Sequence, residues 1–197
     1  MEKRGLSRCL GEAGVSSDTA FGFADEMRVG LRGMVRRVWG RRGVKVVQRV
    51  QTVYRWTYLF LAVDVRRGRL EWRWIDSMRS DDIAGAIKEL KHHSDIKALV
   101  WDGARGHRGE KVRTVGLATI IQPAYSPELN PVERVFEEVR RWVEGRVYTS
   151  IEEKKDAVEG YLTELSSDAG RVRSLTAWDW IEHATRSLPS HFMAPSK

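Results

Sequence analysis

The chain has a single cysteine, Cys9, in 197 residues. One thiol excludes an intrachain disulfide framework and a cysteine-ligated zinc site, and it fits a reducing, cytoplasmic setting. No apolar run approaches the ~18 residues of a membrane span, and the N-terminus lacks a signal-peptide apolar core, so no membrane partner is expected. There is no internal repeat and no low-complexity segment. Proline is scarce, and three of the five prolines, Pro123, Pro127 and Pro131, fall within nine residues. Acid is missing altogether from residues 27–63, a stretch that holds Arg28, Arg32, Arg36, Arg37, Arg41, Arg42, Lys45, Arg49 and Arg55.

That gap in acid concentrates the charge. The whole chain carries +7, while this stretch alone carries +9, so everything else sums to −2. A solvated basic face is the ordinary meaning of such a run. Its concentration is also the footprint of a phosphate-backbone partner, which makes Arg28, Arg32, Arg36, Arg37, Arg41, Arg42 and Lys45 the candidate DNA contacts. No amphipathic membrane helix accompanies it.

Composition otherwise describes a globular protein. Hydrophobic residues make up 42% and there are eight tryptophans, enough for a real core. The expected organisation is a tail or linker remnant over 1–18, one domain over 19–186 and a frayed tail over 187–197. Within the domain, residues 19–25 read as a strand, with Phe21, Phe23 and Asp25 on one face and Gly22, Ala24 and Glu26 on the other. Residues 28–42 read as irregular, with Trp39 as an anchor. Residues 44–53 and 56–65 read as two β segments, and alternation over 70–75 adds another. Asp64 precedes Arg66-Arg67-Gly68 and reads as a turn residue. A helix follows from Ser80 to about residue 92, with His92 and His93 at its solvated end, then a strand over 96–101 and a short helix over 109–115. Residues 117–121 form a strand, a further helix opens on the capping box Ser150…Glu153, and one last helix covers 171–181. Strands first, then helix and strand in alternation, imply a mixed sheet flanked by helices.

The stretch 122–142, QPAYSPELNPVERVFEEVRRW, organises the rest. Each proline fixes φ and biases the residue before it away from helix, so the loop is stiff and extended. It ends on Asn130-Pro131, an N-cap residue followed by proline at the first helical position. Val132, Val135, Phe136, Val139, Trp142 and Val143 then recur at helical spacing and make one apolar stripe. Glu133 falls in the first turn, where a carboxylate ordinarily complements the helix macrodipole. Two other acids follow apolar strands, Asp25 after 20–24 and Asp102 after 96–101. Two acids at strand ends and one at a helix start form the set that a two-metal phosphoryl-transfer site requires. Carboxylates suit Mg²⁺ or Mn²⁺, which take oxygen ligands and few of them from protein. Clustered carboxylates repel one another until cations relieve them.

Asp25-Glu26, VWDGARGH over 100–107 and YSPELNPVER over 125–134 resemble the DDE transposases, and within them the bacterial insertion-sequence branch of the mariner superfamily, the insertion sequence 630 family. The similarity runs from about residue 21 to 181. It takes in Arg28, the WGRRG run at 39–43 and the closing 175–181 segment. Between Asp102 and Glu133 lie 30 residues, a few fewer than is usual in that family, and Gln122 and Ala124 replace its usual leucine and proline.

The resemblance implies an α/β, ribonuclease-H-like fold with a mixed five-stranded sheet flanked by helices. Asp25, Asp102 and Glu133 would be the catalytic and metal-binding acids of a site that takes two Mg²⁺ or Mn²⁺ ions. Glu26, His107 and Asn130 are auxiliary candidates. His107 could touch the scissile phosphate, shuttle a proton, or be plainly structural. The implied activity is DNA cleavage and strand transfer at insertion-sequence ends, with TA target dinucleotides, a homodimer in the active complex and a nucleoid-associated location. Family members carry helix-turn-helix modules ahead of this domain. Only 24 residues precede Asp25 here, short of a trihelical module of ~50 residues, so a separate helix-turn-helix polypeptide is the expected partner. The alternatives are an inactive or truncated transposase remnant that binds DNA without cutting, and a resolvase-like nuclease of the same fold, against which the proline loop argues.

Overall fold

The computed structural model describes residues 3–33, 39–188 and 190. Among them a five-stranded sheet runs in the order β3-β2-β1-β4-β5. The strands are β1 (Ala20–Gly30), β2 (Trp56–Asp64), β3 (Arg69–Ile75), β4 (Ile96–Trp101) and β5 (Ala118–Ile121). The β1–β2 and β2–β3 pairs are antiparallel, whereas β1–β4 and β4–β5 are parallel. The helices are α1 (Lys3–Glu12), α2 (Ser80–His93), α3 (Glu110–Arg113), α4 (Val132–Val143), α5 (Ile151–Ser166), α6 (Ala169–Thr176) and α7 (Asp179–Arg186). This is the ribonuclease-H-like sheet flanked by helices that the motifs implied.

The strand pleat divides the core in two. Phe21, Phe23 and Met27 of β1 join Leu59, Leu61, Val100, Ile120 and the apolar stripe of α4 on one side. Ala20 and Ala24 join Phe60, Leu99, Trp101 and the Ile83, Ile87 and Leu90 stripe of α2 on the other. Asp25 continues the first face and Glu26 the second, by the two-residue period of a strand. The acids therefore begin on opposite sides of the sheet.

Turn chemistry is local and readable. Asp64 Oδ1 accepts from the backbone N–H groups of Arg66 and Arg67, both at 3.1 Å, which makes it the turn residue expected. Gly68 completes that turn at φ +65°, with Ala169 packed close behind it. Ser150 caps α5 by accepting from Glu153 N at 3.0 Å. Glu153 in turn accepts from Thr149 N–H at 2.6 Å, one residue before the cap.

Several expectations are corrected. Residues 3–12 are not a tail. They form α1, which lies against α7, with Leu6 and Leu10 fully buried and Val15 close behind. The signal was Leu6, Cys9, Leu10 and Ala13 at helical spacing, masked by Gly5 and Gly11, each costing about 1 kcal/mol of helix propensity. The far end is also tied in, since Leu188 is buried and Ser187 Oγ lies 2.9 Å from Ser7 Oγ. The closing helix is two helices, α6 and α7, separated at Ala177 and Trp178.

Residues 44–53 form no strand, and Asp25 does not end one. Strand β1 runs five residues further, to Gly30, opposite Trp56 of β2. Beyond that pair the chain continues as an arm, held by Leu31 N–H to Arg55 O at 2.9 Å and Gly33 N–H to Gln51 O at 3.0 Å. Its described valines, Val44, Val46, Val47, Val50 and Val53, are exposed, Val47 by 78%, and Trp39 is fully exposed instead of buried as an anchor. The composition favours β, but a lone ribbon has no third strand or helix to cover it, and such ribbons are marginal.

Candidate active site

Parallel pairing brings two of the acids side by side. In the β1–β4 register Phe23 lies opposite Val100. Continued by two residues, that register puts Asp102 beside Asp25, where β4 has ended and β1 has not. Asp25 is half-buried. Its Oδ1 accepts from Glu26 N–H at 2.8 Å, and its Oδ2 accepts from Asn130 Nδ2 at 3.1 Å.

Asn130 is 2% exposed and links three segments. Its Nδ2 also donates to Ala24 O at 3.1 Å, while its Oδ1 accepts from Val132 N–H at 3.2 Å, and its carbonyl accepts from Glu133 N–H. The residue expected as a helix cap thus fastens the start of α4 to the strand bearing Asp25. Gln122 closes the proline loop from its other end. Its backbone N–H donates to Trp101 O at 2.7 Å and its Nε2 to Leu129 O at 3.1 Å. Stiff prolines and these two amides hold Glu133 on the Asp25 side of the sheet.

The electrostatics follow from this crowding. Burial pushes the Asp25 carboxyl up to about 7. The Glu26 N–H bond opposes the rise, and the nearby charges of Glu26, Glu133 and Asp102 add to it. The donor set is all carboxylate oxygen, which fits a hard divalent cation. Glu133, however, lies 3.5 Å from Arg140 of its own helix. Among the described residues no three histidine, cysteine, aspartate or glutamate side chains are grouped so as to hold a metal ion. Glu133 would have to leave Arg140 to share a cation with the two aspartates.

On the opposite face, His107 is 3% exposed and sits between two acids. Its Nε2 lies 2.9 Å from Glu26 Oε2, and its Nδ1 lies 2.7 Å from Asp102 Oδ1 and 3.1 Å from Asp102 O. Its ring stacks on Trp101, centroids 4.0 Å apart and planes within 6°. Burial alone would lower its pKa, but the Glu26 hydrogen bond and charge, with Asp102, outweigh that and raise it to about 9. The ring is thus a buried imidazolium.

Residues 21–155 match the family of DDE superfamily endonucleases. The chain belongs to that family. The fold of this family member is also that of the Mos1 transposase. Similarity extends to the Mos1 strand transfer complex at TM-score 0.65 and 15% identity, covering 95% of this chain and 61% of that one. For the Mos1 mariner paired end complex with Mg the values are 0.66 and 15%, over 97% and 62%, and for the complex with Mn 0.64 and 13%, over 92% and 60%. The chain thus spans about three-fifths of the Mos1 chains it matches. No curated protein matches it.

In this chain the structure brings Asp25, Asp102 and Asn130 together, with Glu133 within electrostatic reach of Asp25. Of the basic candidates, Arg28, Arg32, Arg41, Arg42 and Lys45 are exposed along β1 and the arm, while Arg36 and Arg37 lie outside the described residues. Arg32 covers the ring of Tyr54 at 4.8 Å and Arg28 that of Trp56 at 5.9 Å. Sequence reasoning missed Arg140, seven residues or two turns beyond Glu133, and the partner of His107. The latter signal was present in the pleat, which turns Glu26 away from Asp25.

Proposed function

We propose that this DDE endonuclease is a transposase catalytic domain of the insertion sequence 630 branch, which cleaves DNA at insertion-sequence ends and joins the freed end to target DNA. Asp25, Asp102 and Glu133 are assigned to hold two Mg²⁺ or Mn²⁺ ions. When bound, such ions would supply a water activated at neutral pH and stabilisation of the leaving oxygen. The residues of the chain do the rest. Asn130 keeps Asp25 turned toward α4, Gln122 keeps the proline loop shut, and exposed Arg28, Arg32, Arg41, Arg42 and Lys45 hold the phosphate backbone.

What carries this reading is the family match over residues 21–155, supported by the crowding of Asp25 with Glu26, Asp102 and Glu133, which a nearby cation would relieve. Magnesium and manganese are the ions named with the Mos1 paired end complexes, whose fold this chain shares. Those complexes hold paired transposon ends, which supports DNA ends as the partner; a homodimer acting at the nucleoid, in the cytoplasm, is part of the same proposal. No helix among the described residues is long and apolar enough to cross a membrane.

The Glu133–Arg140 contact favours a second reading, a domain that binds DNA without cutting it. Supercoiled plasmid incubated with Mn²⁺ separates the two. Nicking by the wild type that disappears in Asp25→Asn, Asp102→Asn and Glu133→Gln supports the catalytic reading. Binding without nicking supports the second.

A further inference from the structure

Glu26 takes no part in the chemistry above, yet its side chain is fully buried. A buried carboxylate is costly unless paired, and here its pair is His107, which is buried with it. Its position explains more than its burial. The backbone N–H of Glu26 holds Asp25 Oδ1 at 2.8 Å, and its side chain holds His107 Nε2, so one residue reaches both aspartates.

The path to Asp102 is rigid at each step. Trp101 stacks on the imidazole and prevents it from turning. The loop that carries His107 is packed down, since a Cβ on Gly106 would meet Ile83 Cδ1 at 2.8 Å and Met78 O at 2.9 Å, and Ser80 Oγ donates to Gly106 O at 3.1 Å. At its end, His107 Nδ1 and Ala104 N–H both address Asp102 Oδ1, at 2.7 Å and 2.9 Å. One carboxylate oxygen is occupied, and Oδ2 is left for a cation. The Asp102 side chain is still 55% exposed, so it is held without being covered.

We propose that Glu26 is a positioning residue, which fixes His107 so that Asp102 presents its second oxygen to the metal in a set direction. The proposal rests on the reading that Asp102 is a metal ligand. Partners of this kind orient ligands and typically account for about 10–100-fold in metal affinity.

The test uses the full chain and Mn²⁺ alone, with binding followed by calorimetry and folding by thermal melting in EDTA. Glu26→Met fills the volume but leaves the buried His107 ring without its acceptor, so its melting temperature should fall, and Mn²⁺ binding is read well below that temperature, where the variant is folded. Its Mn²⁺ affinity should fall about 10–100-fold. Glu26→Gln, which keeps a hydrogen-bond acceptor for His107, should stay within a few-fold of wild type. Adding Glu26→Met to His107→Ala should weaken Mn²⁺ binding no further than His107→Ala alone. Asp102→Asn separates the two levels of the argument. Weaker binding in Asp102→Asn with wild-type affinity in Glu26→Met overturns the positioning role and leaves the metal reading standing. Wild-type affinity in Asp102→Asn overturns the metal reading and the positioning role with it.

Discussion

Replacing Asp25 by Asn should stabilise the metal-free protein at pH 8 and not at pH 4. The Asp25 carboxyl moves from an ordinary 3.8 to about 7 on folding. At 1.36 kcal/mol per unit, the charged form costs about 4 kcal/mol in the folded state. Because the folded value is raised, Asp25 is neutral in both states below about 3.8 and no cost is felt there. Stability is lost progressively as pH rises from 3.8 through about 7. Asparagine removes the charge but forfeits the acceptor that Asn130 Nδ2 reaches at 3.1 Å, a charge-assisted bond of about 1.5–3 kcal/mol. The net gain at pH 8 is about 1–3 kcal/mol. For a chain of this length that is a rise of roughly 2–10 °C in melting temperature. Calorimetric scans of both proteins in EDTA at pH 4 and pH 8 measure it, and the wild-type-minus-variant difference cancels the other acids. Added Mg²⁺ should then raise the wild type and leave the variant unchanged. A difference between the two proteins that does not vary with pH would refute the account of a desolvated, repelled carboxyl.

Leu10→Ala should cost about 2–5 kcal/mol in urea unfolding, because Leu10 is fully buried beneath α7; a change under 0.5 kcal/mol would return residues 3–12 to the status of a tail. Changing Arg32, Arg41, Arg42 and Lys45 together to Ala should weaken binding to all duplexes alike, and the slope of log K against log salt should flatten by about 0.9 for every phosphate no longer neutralised. An unaltered slope would make this face merely solvated. Gly68→Ala should lower the melting temperature, since φ is +65° and an added Cβ would also crowd the Ala169 backbone. A neutral result there would mean that the 64–68 turn relaxes freely.

The sequence by itself settled what depends on near neighbours. Proline at 123, 127 and 131 stiffens the loop wherever it is placed, and Asp64 turns the chain by bonding amides two and three residues on. The alternation of 20–26 assigned Asp25 and Glu26 to opposite faces before any partner was known. The motifs carried the family and the α/β fold with it. What it left open depended on groups distant in the chain. Residues 44–53 have the composition of a strand, but strand formation needs a covering layer, and among the described residues none covers their exposed valines. Residues 3–12 contain two glycines and look unfit for helix, but α7 supplies the apolar surface that offsets them.

The site shows the same division. Residue types named Asp25, Asp102 and Glu133, and only the parallel β1–β4 register put Asp102 beside Asp25 across 76 intervening residues. His107 had no visible partner in the sequence because that partner, Glu26, lies 81 positions away. Whether a carboxylate is free, shared or tied to an arginine is decided by atoms within about 4 Å, and at that range only tertiary packing chooses the neighbours.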